Sequence, residues 1–246
     1  MKKVKKEDWH IGCSGFYYKD WKGKFYPKDL PQKDWLDYYC RHFETLESNV
    51  TFYRFPQLTF LQNWYKRTPE KFRFAVKAPR LITHYKKFVD TQTLMADFYN
   101  TVQHGLAEKL KCALFQLPPS MAYDDMILQR IIDALDSNYP NVLEFRHASW
   151  WRPEVYEKLG KHNITFCGMS HPKLPNEVVV NTSMVYYRMH GSTKLYGSSY
   201  TDEELKELIK AIEVHPEVQD SYIYFNNDMD GHAIENANRL KELLYK

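Results

Sequence analysis

Eight polar or charged side chains stand at the ends of short apolar runs: Glu47 and Asn49, Lys77, Gln116, Glu144 and Arg146, Arg188 and His190. The runs include Leu46-Glu47-Ser48-Asn49, Phe72-Arg73-Phe74-Ala75-Val76-Lys77 and Leu114-Phe115-Gln116-Leu117. The others are Leu143-Glu144-Phe145-Arg146-His147 and Tyr186-Tyr187-Arg188-Met189-His190. Asn226 or Asn227 closes one more. Side chains alternate across a strand, so Glu47 shares a face with Asn49, Glu144 with Arg146, and Arg188 with His190. Parallel strands buried on both faces read as near-continuous apolar runs. Charge repeated at their C-terminal ends marks the place where α/β folds keep ligand sites.

Three cations, Lys77, Arg146 and Arg188, face two carboxylates, Glu47 and Glu144, before His190 is counted. Ions enclosed without partners are costly, so they pair with each other or meet a ligand. The surplus points to an anion. We expect Asn49, Lys77, Gln116, Glu144, Arg146, Arg188 and Asn226 to bind it, and Glu47 and His190 to move protons. Arg146 beside Glu144 favours the ionised carboxylate and makes it the poorer base. Glu144 is expected to hold Arg146 and Arg188 in place. The reaction class expected is hydrolase-type phosphoester chemistry on a phosphodiester or nucleotide, a small-molecule or nucleic-acid phosphate ligand. Three alternatives stand beside it. One is a structural ion network, another a non-catalytic module for nucleic acid or a phosphorylated metabolite. The third is a carbohydrate-active barrel using Glu47 and Glu144 as paired carboxylates, which three nearby cations disfavour.

Loops add detail. Gly191-Ser192-Thr193-Lys194 and Asp228-Met229-Asp230-Gly231 follow the last two runs, where barrels often place a phosphate, although Asp228 and Asp230 oppose one. The stretch from Gly15 to Pro27 interleaves aromatic and basic residues. Such aromatics more often pack a loop onto a rim than stack a base. No Walker A segment, G-x-S-x-G elbow, H-E-x-x-H or H-x-H spacing occurs, so no cofactor is named and no metal is expected despite eligible atoms on His84 and His171. Cys13 and Ser14 offer a nucleophile with no base placed beside it by sequence.

These residues need strands to carry them. Strands are expected over His10–Ser14, Thr45–Asn49, Phe72–Lys77, Cys112–Leu117, Val142–His147, Ile164–Met169, Val185–His190 and Tyr222–Asn227. Helical stretches fall between them, at Lys33–Arg41, Gln57–Lys66, Thr91–Glu108, Asp124–Leu135, Pro153–Lys161, Asp202–Glu213 and Gly231–Tyr245. Thr201 through Glu204 forms a capping box, and Pro153 suits the first helical position. Alternating elements over 246 residues predict an α/β TIM (β/α)8 barrel as one domain, 1–246. An open doubly wound sheet usually carries a G-x-G-x-x-G turn, which Gly12-Cys13-Ser14-Gly15 does not match.

Net charge is +3, too small to argue for nucleic acid by itself. Four scattered cysteines without a C-x-x-C read as thiols of a cytoplasmic protein. Met1–Lys6 is basic without an apolar stretch behind it, which does not make a secretory signal. No apolar run is long enough to span a bilayer, so no membrane partner is expected.

The chain resembles the YecE-like family (DUF72, a domain of unknown function). Matching stretches are Ile11-Gly12-Cys13-Ser14-Gly15 with Trp21 and Phe25-Tyr26-Pro27, and Phe43 through Asn49 with Thr51-Phe52-Tyr53-Arg54 and Pro56. Further ones are Phe74 through Pro79 with Thr83-His84, Gln116-Leu117-Pro118-Pro119, and Glu144-Phe145-Arg146-His147 with Ser149-Trp150. The last are Tyr187 through Gly191, and Tyr224-Phe225-Asn226-Asn227 with Gly231, Ala233 and Asn236-Ala237. The resemblance implies a TIM barrel and supplies no reaction. It also implies Thr more often than Cys at position 13, which weakens any catalytic part for that thiol.

Overall fold

The computed structural model describes residues 9–245, and the basic segment Met1–Lys6 lies outside them. Eight parallel strands follow the chain: β1 (Trp9–Ser14), β2 (Thr45–Ser48), β3 (Arg73–Lys77), β4 (Leu110–Gln116), β5 (Asn141–Glu144), β6 (Ile164–Ser170), β7 (Met184–Met189) and β8 (Asp220–Phe225). They hydrogen-bond in sequence order and close into a TIM barrel. The helices are α1 (Trp35–Tyr39), α2 (Val50–Tyr53), α3 (Leu58–Arg67), α4 (Gln92–Leu106), α5 (Asp125–Ala134), α6 (Pro153–Lys161), α7 (Asp202–Glu213) and α8 (His232–Tyr245). Among the described residues no helix is long and apolar enough to cross a membrane.

The described residues divide into two compact units, 9–47 with 167–245, and 48–166. In the first unit β1 lies between β2 and β8, and β7 between β6 and β8. Close approach of β1 to β2 depends on Gly12. A Cβ there would stand 2.4 Å from the carbonyl oxygen of Thr45, a backbone atom that cannot give way. Every residue of β7 is buried, although one of them is an arginine. The outer helices bury one stripe each, as Leu205, Leu208 and Ile212 do on α7. Its start is the expected capping box, with Thr201 accepting from the Glu204 N–H and Glu204 accepting from the Thr201 N–H. Thr201→Ala should therefore cost about 1 kcal/mol, a fall in Tm of about 2–4 °C by calorimetry, with no change in far-UV circular dichroism.

In the second unit β3 pairs with β4, with a register shift between Phe74 and Ala75, and β4 with β5, so that Gln116 stands opposite Glu144 at the strand ends. Asp124 caps α5 by accepting from the N–H groups of Met126 and Ile127 at 2.9 and 3.0 Å. Pro153 opens α6 at its first turn. The sequence did not anticipate two short pieces. These are α2 and a π-helical turn, Leu81–Tyr85, after β3. Periodicity needs more turns than either provides.

Candidate functional site

In the first unit, strand parity brings Tyr186, Arg188 and His190 onto one face. Glu47 on β2 meets this face with no exposure at all. Its Oε1 accepts from Arg188 Nη2 at 2.5 Å, Arg188 Nε at 3.1 Å and Ser14 Oγ at 2.5 Å. Its Oε2 accepts from the Tyr186 hydroxyl at 2.5 Å. Both oxygens are thus engaged by charge-assisted or hydroxyl donors, the strong class of hydrogen bond. The sequence assigned Arg188 to Glu144, but the structure gives its guanidinium to Glu47.

His190 follows β7, with Nε2 3.4 Å from Arg188 Nη1 and Nδ1 3.0 Å from the amide of Asn226. A guanidinium only donates, so this contact calls for the Nε2 lone pair and places the imidazole proton on Nδ1. The Asn226 amide must then present its oxygen, a half-turn that exchanges two nearly equivalent atoms. Asn227, the alternative to Asn226, turns away and donates to Ser198 O and Asn236 Oδ1 at 2.9 and 2.8 Å.

Asp228 is a group whose weight the sequence did not show. Burial pushes its carboxyl up to about 6, and Asp20 pushes the same way. A backbone hydrogen bond and the charge of Arg188 oppose the rise. Its carbonyl accepts from the Trp21 indole at 3.0 Å. Trp21 and Tyr26 are themselves buried, Tyr26 stacked on Trp35 at 4.4 Å, so most of the aromatic first loop packs as structure. Cys13 is fully buried, and burial drives its thiol far above the ordinary range, against a nucleophilic part. The 191–194 loop satisfies itself. Thr193 and Lys194 donate their N–H groups to Ser198 Oγ, and Gly191 donates to the Tyr200 hydroxyl.

In the second unit Lys77 ends β3, nearly buried, and donates to Gln116 Oε1 at 2.5 Å. Its ammonium lies 4.3 Å from the centre of the Phe52 ring. Glu144 at the end of β5 pairs with Arg146, as parity required. Asn49 takes the N-terminal position of α2, where its side-chain Oδ1 is buried and makes no hydrogen bond.

His84 stands on the π-helical turn, with Nδ1 2.8 Å from Thr83 Oγ1 and its ring edge-on to Phe52 at 5.0 Å. Burial lowers its pKa first and Lys77 next. Arg146 and Arg80 lower it further, and Glu144 alone raises it. The sequence had shown His84 as an eligible metal ligand and in the Thr83-His84 stretch of the resemblance, and gave it no role in the site. The signal that could have found it is Thr83-His84 following a strand that ends in Lys77. Among the described residues no cluster of three or more His, Cys, Asp or Glu side chains is placed to hold a metal ion.

Comparison with known proteins adds a family. Residues 10–246 match the model of a family described as "Protein of unknown function DUF72". The UPF0759 protein YunF of Bacillus subtilis is 27% identical over 96% of this chain and 94% of its own length. The UPF0759 protein YecE of Escherichia coli K12 is 27% identical over 61% of this chain and 53% of its own. A crystal structure of a DUF72 family protein from Thermotoga maritima superposes with a TM-score of 0.88 at 32% identity, covering 97% of this chain and 99% of the other. One from Enterococcus faecalis gives 0.84 at 20% identity, covering 97% and 96%, a likeness of fold.

Proposed function

Because the chain belongs to the DUF72 family, whose function is unknown, we propose a function from its own residues: phosphoester chemistry on a substrate held at the strand ends of the second unit. The observation that carries this is the grouping of Lys77, held by Gln116 and lying over the Phe52 ring, with His84, which meets the same ring edge-on. Three cations, Lys77, Arg146 and Arg80, act on His84 against one carboxylate, Glu144. Such a site favours an anion, and a phosphate there would offset the cationic part of what lowers the His84 pKa, which comes second to burial.

Lys77 and Arg146 would hold the phosphoryl oxygens and stabilise charge that develops on them. Gln116 fixes the Lys77 ammonium through its amide oxygen. With Nδ1 anchored at Thr83, the other ring nitrogen of His84 serves as the proton-transfer atom, as a base toward water or an acid toward the leaving oxygen. The carbohydrate reading loses support, since Glu47 has both oxygens committed to Arg188, Ser14 and Tyr186. The role expected of Arg188 as an anion ligand also weakens, because its guanidinium is fully buried on Glu47.

Inorganic phosphate at pH 7 should raise Tm by several degrees. A ligand at about 100 times its Kd adds about 2.7 kcal/mol. Lys77→Met should abolish most of that rise, and a full rise retained in the variant would place the anion elsewhere. A panel of phosphomonoesters and phosphodiesters, with and without divalent metal, separates catalysis from binding. Turnover lost in His84→Gln supports the enzyme, and no turnover by the wild type leaves the binding module.

A further inference from the structure

We propose that the ligand of the second unit carries a nucleobase beside its phosphate, as a nucleotide or a single-stranded nucleic acid does, and that Tyr53 and Tyr85 stack it. This rests on the phosphate reading above and names the rest of the molecule.

Large aromatic side chains are mostly buried in this chain, yet Tyr53 and Tyr85 are 66% and 65% exposed. They belong to the two short pieces after β2 and β3, the helix α2 and the π-helical turn. Both rings flank one cation. The Arg80 guanidinium lies 5.7 Å from the centre of the Tyr53 ring and 5.4 Å from that of Tyr85, within cation–π range. Exposed tyrosine faces beside an arginine plane are the surfaces on which unstacked bases settle.

This platform is continuous with the phosphate groups. Phe52 sits edge-on to Tyr53 at 5.2 Å and to His84 at 5.0 Å, and it underlies the Lys77 ammonium at 4.3 Å. The π-helical turn sorts its own residues. Ile82 and Thr83 are buried, while Leu81 and Tyr85 face out. An extra residue in a helical turn is unfavourable on its own and recurs at functional sites.

Charge completes the case. The segments 49–57 and 78–89 contain Arg54, Arg80, Lys86 and Lys87 and no Asp or Glu. A sugar ring could stack on tyrosine, but it has no use for this density of cations. A polyanion without bases would need the cations and not the rings.

Fluorescence anisotropy with a labelled oligothymidylate of about a dozen nucleotides tests this. The wild type should bind it, with affinity falling steeply as salt rises. The double variant Tyr53→Ala/Tyr85→Ala should bind about tenfold more weakly or worse, and Tyr53→Phe/Tyr85→Phe should bind like the wild type. Because both rings are exposed, the alanine variant should keep its fold, checked by an unchanged phosphate-induced rise in Tm. Thymidine monophosphate in a competition arm separates the sources. Competition at affinity equal to the oligomer indicates a nucleotide, weak competition indicates a strand, and both support stacking.

Oligothymidylate binding within about twofold of wild type in the alanine variant overturns the proposal. So does a wild type that binds thymidine monophosphate and the oligomer no better than inorganic phosphate. In either case a phosphate-induced Tm rise in the wild type leaves the phosphate reading standing. Absence of that rise removes the phosphate reading together with this one.

Discussion

Glu47→Gln is expected to destabilise the protein by about 3–5 kcal/mol in urea denaturation, with an unchanged m-value. Arg188 has no exposure, and its Nη2 and Nε both donate to Glu47 Oε1. The amide removes the negative charge opposite a guanidinium that cannot reach water. It also gives the Ser14 and Tyr186 hydroxyls an NH2 group where one of them had an acceptor. Glu144→Gln should cost less. Arg146 lies beyond the end of β5 and its side chain is 7% exposed, against none for Arg188, so its guanidinium is the less enclosed of the two. Glu47→Gln combined with Arg188→Gln should cost clearly less than the sum of the two single changes, because the second removes the charge that the first leaves buried. An additive double variant, or a Glu144→Gln costlier than Glu47→Gln, would show that Glu47 and Arg188 are not the coupled pair described here.

That ordering gives Glu47 the structural part that the sequence suggested for Glu144, and the reason is geometric. Strand parity tells which residues of one strand share a face, and it placed Arg188 with His190 and Glu144 with Arg146. It does not tell how strands are staggered, so it could not say which carboxylate meets which guanidinium. The structural part expected of Glu144 rested on its shared face with Arg146, and no register joined it to Arg188. Tyr186 sits two residues before Arg188 and followed from the same parity, yet a tyrosine among apolar residues gives no sign that its hydroxyl holds a carboxylate. The eight strands were legible because each is a buried run bounded by turns. The elements that carry Phe52, Tyr53, His84 and Tyr85 were not, since α2 is one turn long and the π-helical turn has no sequence period of its own. Lys77, Gln116, Glu144 and Arg146 of the second unit were legible at the strand ends, whereas Phe52, Tyr53, His84 and Tyr85 emerged as a group only when the backbone placed them beside Lys77 and Arg80.

Asp228 should set a pH dependence of its own. Its carboxyl titrates near 3.8 in the unfolded chain and is pushed up to about 6 in the fold, chiefly by burial. Between those values the unfolded chain has released the proton while the folded protein still holds it. Stability is therefore full below about pH 4, declines as pH rises toward 6, and stays reduced above it. At about 1.4 kcal/mol per tenfold in proton affinity the whole effect is about 3 kcal/mol, and partial contact with solvent brings it to about 1–2 kcal/mol. Asp228→Asn should thus stabilise the protein by about 1–2 kcal/mol at pH 7.5, leave it unchanged at pH 4, and flatten that part of the stability–pH curve. Carboxyls whose ionisation burial opposes are enriched at functional sites, and Asp228→Asn tests whether this one carries the stability cost that goes with that class. Equal stability of wild type and Asp228→Asn at pH 7.5 would remove that argument, and a loss on substitution would make Asp228 an ionised partner of Arg188.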